Sequence, residues 1–133
     1  MQTTREVQAV FSHSEWTERA YQEADGVKLS EVRFVSHYRG DVEGHSVTEL
    51  LMVYRRDGSV TSVGLERFEG TVLGRAGSFV LRCEGEYRDG VAENRGYLVP
   101  GTGAGALEAL TGEAHYRATH APENAVLFRL GPG

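Results

Sequence analysis

Glu66 is the residue whose setting best suggests chemistry, because it is a carboxylate inside a run that alternates like a half-buried β-strand. Successive side chains of a strand point to opposite faces, so either Glu66 or its neighbour Arg67 must face the interior. The hairpin loop at Asp57-Gly58 decides between them. A three-residue loop with a bulge places Glu66 beside Thr48 and Leu50, whereas a two-residue loop places Arg67 there. We expect the three-residue loop and an inward Glu66.

An inward glutamate could exchange a proton with a ligand, because a carboxyl group in an apolar cavity can act as acid or base near neutral pH. Gly64 lies one pleat earlier on the same face and would leave space for that ligand. A structural interpretation stays open, in which Glu66 forms an ion pair with a neighbouring arginine.

Other reactive residue types lack the spacing that a site needs. Of the five histidines, His37 and His45 could face each other across a turn, but two histidines without a third ligand make a poor zinc site. Cys83 is the single cysteine and has no activating partner in the sequence. The glycine-rich stretch 101–105 lacks the Lys-Ser/Thr of a phosphate-binding loop. We therefore expect no metal and no cofactor.

Length and charge restrict the class of protein. The chain has 133 residues, 40% of them hydrophobic and 25% charged, which predicts one globular domain over residues 1–133. A net charge of −5 argues against binding nucleic acid or an anionic membrane surface. No apolar run reaches the ~20 residues that span a bilayer, and Met1–Glu6 lacks a signal-peptide pattern. With one cysteine, these features favour a cytoplasmic protein.

The elements that would position Glu66 are short strands separated by turns. There are 17 glycines, well above the usual ~7%. Alternating segments occupy residues 5–11, 29–38, 46–54, 60–69, 78–87, 91–99, 112–118 and 125–130. Their connections are too short for parallel crossovers, so we predict an all-β, eight-stranded antiparallel barrel of lipocalin-like type. The one short helix expected is Ser14–Glu23, unless that segment is a loop that seats Trp16 on the barrel end.

An uncharged face runs through the predicted strands and would line this barrel. The expected lining and ligand-binding residues are Phe34, Tyr38, Leu50, Met52, Phe79, Leu81 and Cys83, with Trp16 as a lid or a plug. Core packing alone explains such a face. Small residues among the lining, together with tyrosine hydroxyls that need partners, instead indicate an unfilled cavity.

Several segments resemble a known family when taken in order. They are 40–44, 51–58, 63–70, 74–81 and 99–107, which include Gly40-Asp41-Val42-Glu43-Gly44 and Pro100-Gly101-Thr102-Gly103. The chain is similar to an uncharacterised bacterial family, a domain of unknown function with an allene oxide cyclase-like β-barrel. The strand before Pro100 usually carries a tryptophan in that family, whereas here it has Glu93–Tyr97. The resemblance implies a central cavity and dimers, but no established reaction.

Barrels of this type supply the functional expectation by analogy of fold. Allene oxide cyclases, dirigent-like proteins and spirotetronate-forming cyclases guide an apolar substrate through cyclisation without a cofactor. We therefore expect a cofactor-independent cyclase or isomerase of a hydrophobic, natural-product-like molecule. Glu66, Tyr54 and Tyr97 are the expected catalytic residues, which hydrogen-bond a carbonyl or transfer one proton. The alternatives are a non-catalytic ligand-binding barrel and an oligomeric barrel that serves a partner through its outer faces.

An apolar patch on the opposite face predicts self-association. Val35, Val47, Leu51 and Val53 would lie on the outer wall, which is more apolar surface than a solvated barrel needs. We expect a homodimer that buries this patch.

Overall fold

A computed structural model describes residues 4–132 as nine strands in one antiparallel sheet. The strands are β1 (Arg5–Ala24), β2 (Val27–Gly40), β3 (Val42–Tyr54), β4 (Val60–Val72), β5 (Arg75–Arg88), β6 (Val91–Leu98), β7 (Ala104–Gly105), β8 (Leu110–Ala118) and β9 (Asn124–Pro132). Eight of them close into a ring in the order β1-β2-β3-β4-β5-β6-β8-β9, and the two-residue β7 pairs with β5. The predicted all-β, eight-stranded antiparallel barrel is confirmed.

The predicted helix Ser14–Glu23 is wrong, because this segment continues β1. The pairing of β1 with β2 slips between Ser14 and Thr17 and again between Ala20 and Gln22, which marks two bulges. Glu15 adopts φ 55° at the first of them. After each bulge, the side chains that would have faced inward face outward. The alternation of apolar and polar residues is therefore interrupted, and the sequence of this segment no longer shows the pattern of a strand.

Two sequence predictions concern the chain ends and membrane spans. Within residues 4–132, no helix is long and apolar enough to cross a membrane. The prediction for Met1–Glu6 falls partly on residues 1–3, which lie outside the described residues, as does residue 133.

The β3–β4 hairpin sets the direction of Glu66. The Arg55 amide donates to the Ser59 carbonyl at 2.8 Å, which leaves three residues in the loop. The Asp57 carboxylate accepts from the Ser59 amide at 2.9 Å and stabilises that loop. Thr48 therefore pairs with Glu66, whose side chain is only 4% exposed. The expected register is the one adopted.

One end of the barrel, the packed end, has a buried core beside a separate cavity of about 350 Å³ that is lined by residues including Val7, Leu107 and Leu130. Leu107, in the connection between β6 and β8, is 2% exposed and lies within the hydrophobic core. Phe68 and Phe79 stack beside it in that core with ring centroids 5.0 Å apart. The other end, at the β3–β4 and β5–β6 hairpins and the loop 119–123, carries the cavity described below.

A row of glycines crosses the sheet near the packed end. Gly44 pairs with Gly70, and Gly70 pairs with Gly77. A Cβ atom at Gly44 would lie 2.4 Å from the Glu69 carbonyl oxygen, and Gly44 itself adopts φ +147°. At these glycines the backbones of neighbouring strands lie closer together than a residue with a Cβ atom would allow. A sharply bent sheet requires such close approach.

The outer wall of β3 and β4 carries exposed apolar side chains. Leu51 is 50% exposed, and Val63 and Leu65 extend the same face at 49% and 56%. Val35, Val47 and Val53 are half-buried beside them. The apolar patch therefore lies on the outside, as predicted, and the homodimer stays a prediction.

Candidate functional site

The open end of the barrel contains two connected spaces. The outer cavity has a volume of about 510 Å³ and is lined by residues that include Trp16, Met52, Tyr54, Tyr87 and His120. The inner chamber has a volume of about 50 Å³ and is lined by residues that include Phe11, Ser36, Tyr38, Thr48, Glu66, Cys83 and Tyr116. Both are lined by His13, Phe34, Leu50, Asn94 and Ala118.

The two volumes set the size of a ligand. Small-molecule cavities measure roughly 300–1,000 Å³, a range that includes the outer cavity. The inner chamber is about a tenth of the size of the outer cavity, so it accepts only a small part of such a ligand. A ligand that uses both spaces therefore has a bulky body outside and a small polar end inside.

The Glu66 carboxylate lies on the wall of the inner chamber and accepts three hydrogen bonds. Ser46 donates to Oε2 at 2.6 Å, Tyr116 donates to Oε1 at 2.8 Å, and Tyr38 also donates to Oε2. Hydrogen bonds to a charged group contribute ~1.5–3 kcal/mol each, so three of them can offset the several kcal/mol that burying an ion costs. Among the described residues, none forms a salt bridge with Glu66, and the predicted arginine partner is absent there.

The tyrosines around Glu66 are fixed as donors. Burial, together with the Glu66 charge, holds the pKa of Tyr38 and of Tyr116 well above the ordinary value. Both hydroxyls therefore keep their protons at physiological pH. A carboxylate has about four acceptor sites, and among the described residues Oε1 accepts only from Tyr116. This oxygen therefore has room for one more proton.

Thr48 is the second polar group of the inner chamber. It pairs with Glu66 across β3 and β4, and the two side chains project from the same face of the sheet. Its residue is 3% exposed, and within residues 4–132 its Oγ1 has no hydrogen-bond partner. A carboxylate with a free acceptor site and an unpaired hydroxyl thus lie side by side.

Trp16 and Tyr54 shape the opening of the outer cavity. Trp16 stacks on Phe34 with centroids 5.0 Å apart and is 49% exposed, so it covers the wall without sealing the opening. Tyr54 donates to Glu18, which also accepts from Ser30 at 2.7 Å. Burial, with the Glu18 carboxylate second, raises the pKa of Tyr54 to about 12, so its hydroxyl remains a donor.

His13 lies where the two spaces meet. Its Nδ1 shares a hydrogen bond of 2.9 Å with Ser36 Oγ, and its ring packs edge-on to Phe34 at 4.5 Å. Burial of the imidazole lowers the pKa of His13, which favours the neutral ring at pH 7. The junction between the two spaces therefore adds a polar group without a fixed charge.

The cavity brings together most of the predicted site residues. Those that line one of the two spaces are Trp16, Phe34, Tyr38, Leu50, Met52, Tyr54, Glu66 and Cys83. Phe79 and Leu81 are buried in the core and line neither space, so their predicted ligand contact is not supported. Gly64 leaves no room for a ligand, because a Cβ there would lie 2.0 Å from the Glu49 carbonyl oxygen.

Tyr97, predicted as catalytic, is on the outer wall. Its ring lies under the Arg82 guanidinium at 4.8 Å, and its hydroxyl donates to Glu84 at 3.5 Å. The inward residues of β6 are Asn94, which lines the cavity, and Gly96 and Leu98, which are buried. Alternation along β6 therefore excludes Tyr97 from the site.

Sequence reasoning placed Thr48 beside Glu66 but did not assign three other polar groups to the site: His13, Asn94 and Tyr116. The signal for Tyr116 was present, because it alternates with the buried Ala114 on β8. Its distance of 50 residues from Glu66 gave no hint that the two meet.

Cys83 is expected to resist alkylation in the folded protein. Burial, followed by the Glu66 charge, raises the pKa of its thiol, and the thiolate is the reactive form. Raising the pH from 7 to 9 should therefore accelerate iodoacetamide labelling of the unfolded chain, whose thiol titrates near ~8.5, but not of the folded one. Mass spectrometry at several pH values measures this. Rapid labelling of folded protein that increases with pH would contradict the assignment.

Metal binding has no support in the part of the chain that is described, where no cluster of three or more His, Cys, Asp or Glu side chains could hold an ion. His37 and His45 do pair across β2 and β3, as expected, but both are exposed and no third ligand joins them.

Comparison with known proteins gives a family and a fold. A family model described as "Protein of unknown function (DUF3224)" matches residues 7–130. The crystal structure of a protein of unknown function from that family, from Shewanella oneidensis MR-1, is 28% identical in sequence. It superposes with a TM-score of 0.84, covering 96% of each chain. No curated protein matches the chain.

Proposed function

The chain belongs to the DUF3224 family of proteins of unknown function, and from its cavity we propose that it is a cofactor-independent isomerase or cyclase of a small, largely apolar molecule. The observation that carries this proposal is the Glu66 carboxylate, buried on the chamber wall with one oxygen still able to accept a proton. The resemblance to allene oxide cyclase-like barrels that the sequence suggested supports it only by analogy of fold.

The proposed chemistry moves one proton and needs no added reagent. Glu66 takes a proton from a carbon next to an electron-withdrawing group, and the electron pair of that C–H bond moves into the ligand. Return of the proton to another carbon shifts a double bond. Alternatively, the carbanion attacks an electrophilic carbon of the same molecule, which forms a ring bond, and Glu66 returns its proton to the oxygen that received the electrons. Both routes conserve atoms and electrons.

The apolar walls of the cavity supply the rest of the proposed rate enhancement. Phe34, Leu50 and Trp16 enclose the body of the ligand and restrict its conformations before reaction. Tyr38 and Tyr116 hold the carboxylate in place, which fixes the direction from which it meets the ligand.

We test this with 4-decen-2-one, whose CH₂ between the alkene and the ketone is acidic. The protein should convert it to the conjugated 3-decen-2-one, whose enone absorbs far more strongly in the far ultraviolet than the unconjugated ketone. Binding is followed in parallel by fluorescence of Trp16, the only tryptophan of the chain. Saturable conjugation above the buffer rate supports an isomerase, and saturable binding with no conjugation counts against it.

A binding role without turnover is the second candidate. The observation in its favour is that Glu66 already has three donors, so it could serve only to orient Tyr38, Ser46 and Tyr116. In that case 4-decen-2-one quenches the fluorescence of Trp16, but no 3-decen-2-one forms.

A further inference from the structure

Thr48 has a buried hydroxyl that the fold does not use. Its residue is 3% exposed, and no hydrogen-bond partner for Oγ1 exists among residues 4–132. A hydroxyl left unpaired in the interior is costly, and proteins rarely keep one without a reason. Valine has the same shape and would avoid this cost. Thr48 is also one of the residues that line the inner chamber, so the partner that we infer for its hydroxyl would come from there.

The surroundings of Thr48 restrict that partner to a small group that also meets Glu66. Register places Thr48 directly opposite Glu66 on β4 and opposite Phe34 on β2. Cross-strand neighbours have Cβ atoms roughly 4.5–5.5 Å apart, so one polar head can contact both the hydroxyl and the carboxylate. The inner chamber, at about 50 Å³, is much smaller than the outer cavity, which favours a small head group there.

Charge restricts the partner further. Among the described residues, the inner chamber and outer cavity are lined by Glu66 and Glu86 but by no lysine or arginine. A carboxylate or phosphate head would meet the Glu66 charge without a cation to compensate it. An uncharged oxygen that accepts a hydrogen bond from Thr48 avoids this repulsion.

We propose that the Thr48 hydroxyl anchors the carbonyl oxygen of an uncharged ligand, a ketone or an aldehyde on an apolar chain. The anchored carbonyl presents its neighbouring carbon to Glu66. This assignment rests on the proposed function for its chemical consequence, but the binding preference that it predicts is independent of turnover.

The test compares three probes of matched chain length: 2-decanone, decanoate and 1-decene. Trp16 fluorescence and titration calorimetry give dissociation constants at pH 7.5. Wild-type protein should bind 2-decanone about tenfold more tightly than 1-decene and at least about tenfold more tightly than decanoate. Equal affinity for the ketone and the alkene, or tighter binding of decanoate, overturns the proposal without any variant.

Two variants separate the hydroxyl from the shape of the side chain. Thr48→Val should lose the preference for ketone over alkene and bind 1-decene as wild type does. Thr48→Ser keeps a hydroxyl and should keep the preference. Thr48→Val should also melt at a higher temperature, because it removes an unpaired buried group, so failure to fold is not expected. A Thr48→Val protein with an unchanged preference overturns the anchor.

The outcomes distinguish this inference from the proposed function. If Thr48→Val loses the preference while wild-type protein never isomerises 4-decen-2-one, the anchor stands and proton transfer fails. If isomerisation occurs but the preference survives Thr48→Val, proton transfer stands and the anchor fails.

Discussion

Glu66→Gln should abolish most of the isomerisation of 4-decen-2-one, with kcat lower by about 10²–10⁴-fold. Glutamine has nearly the shape of glutamate and can still accept from Tyr116, but it cannot take a proton from carbon. Affinity for 2-decanone should change by less than about threefold, because the chamber keeps its size. Steady-state absorbance measurements and Trp16 fluorescence give the two numbers.

Glu43→Gln is the matched control for this loss. Glu43 is an exposed glutamate on the outer face of β3, so the same chemical change there should leave kcat and affinity unaltered. Conjugation by Glu66→Gln at the wild-type rate would remove Glu66 from the mechanism. A parallel loss of ketone affinity and thermal stability would instead assign Glu66 a structural role.

Gly44→Ala should destabilise the barrel by about 3 kcal/mol or more. The new Cβ would lie 2.4 Å from the Glu69 carbonyl oxygen and 2.8 Å from the Gly70 Cα, and both are backbone atoms that cannot rotate away. The φ of +147° adds strain, because side chains with a Cβ rarely adopt it. Urea denaturation followed by far-ultraviolet circular dichroism measures the change.

Gly74→Ala separates steric overlap from backbone strain. Gly74 adopts φ +80° in the β4–β5 turn, but a Cβ there meets nothing within 4 Å. Its replacement should cost only about 1 kcal/mol. Equal losses for the two variants would mean that close packing of the glycine row contributes nothing.

The sequence predicted the middle of the barrel well, for a physical reason. Strands β2 to β5 are joined by short hairpins and alternate cleanly between buried and exposed residues. For such strands the loop length fixes the register, and the three-residue loop at Asp57 was enough to place Glu66 inside.

The sequence-based predictions failed where the local pattern of apolar and polar residues does not determine the tertiary structure. In β1 the two bulges interrupt the alternation that identifies a strand. The positions of Glu15 and Glu18 are also typical of the first turn of a helix, so the segment was predicted as helical. Residues 93–97 of β6 are polar on both faces, so nothing in the pattern placed Tyr97 outside. Tyr116 joins Glu66 only because the ring closes, a long-range event that no local window contains.

Leu107 is buried in the core and lines neither the outer cavity nor the inner chamber. A ligand bound as we propose, with its polar head toward Glu66, would enter and leave through the outer cavity past Trp16. For the proposed isomerase, substrate entry and product release would then share that route, and we expect product release to limit turnover. In the proposed cyclisation, ring closure would shorten a flexible chain and withdraw its tail from the Trp16 side of the cavity, which would favour release.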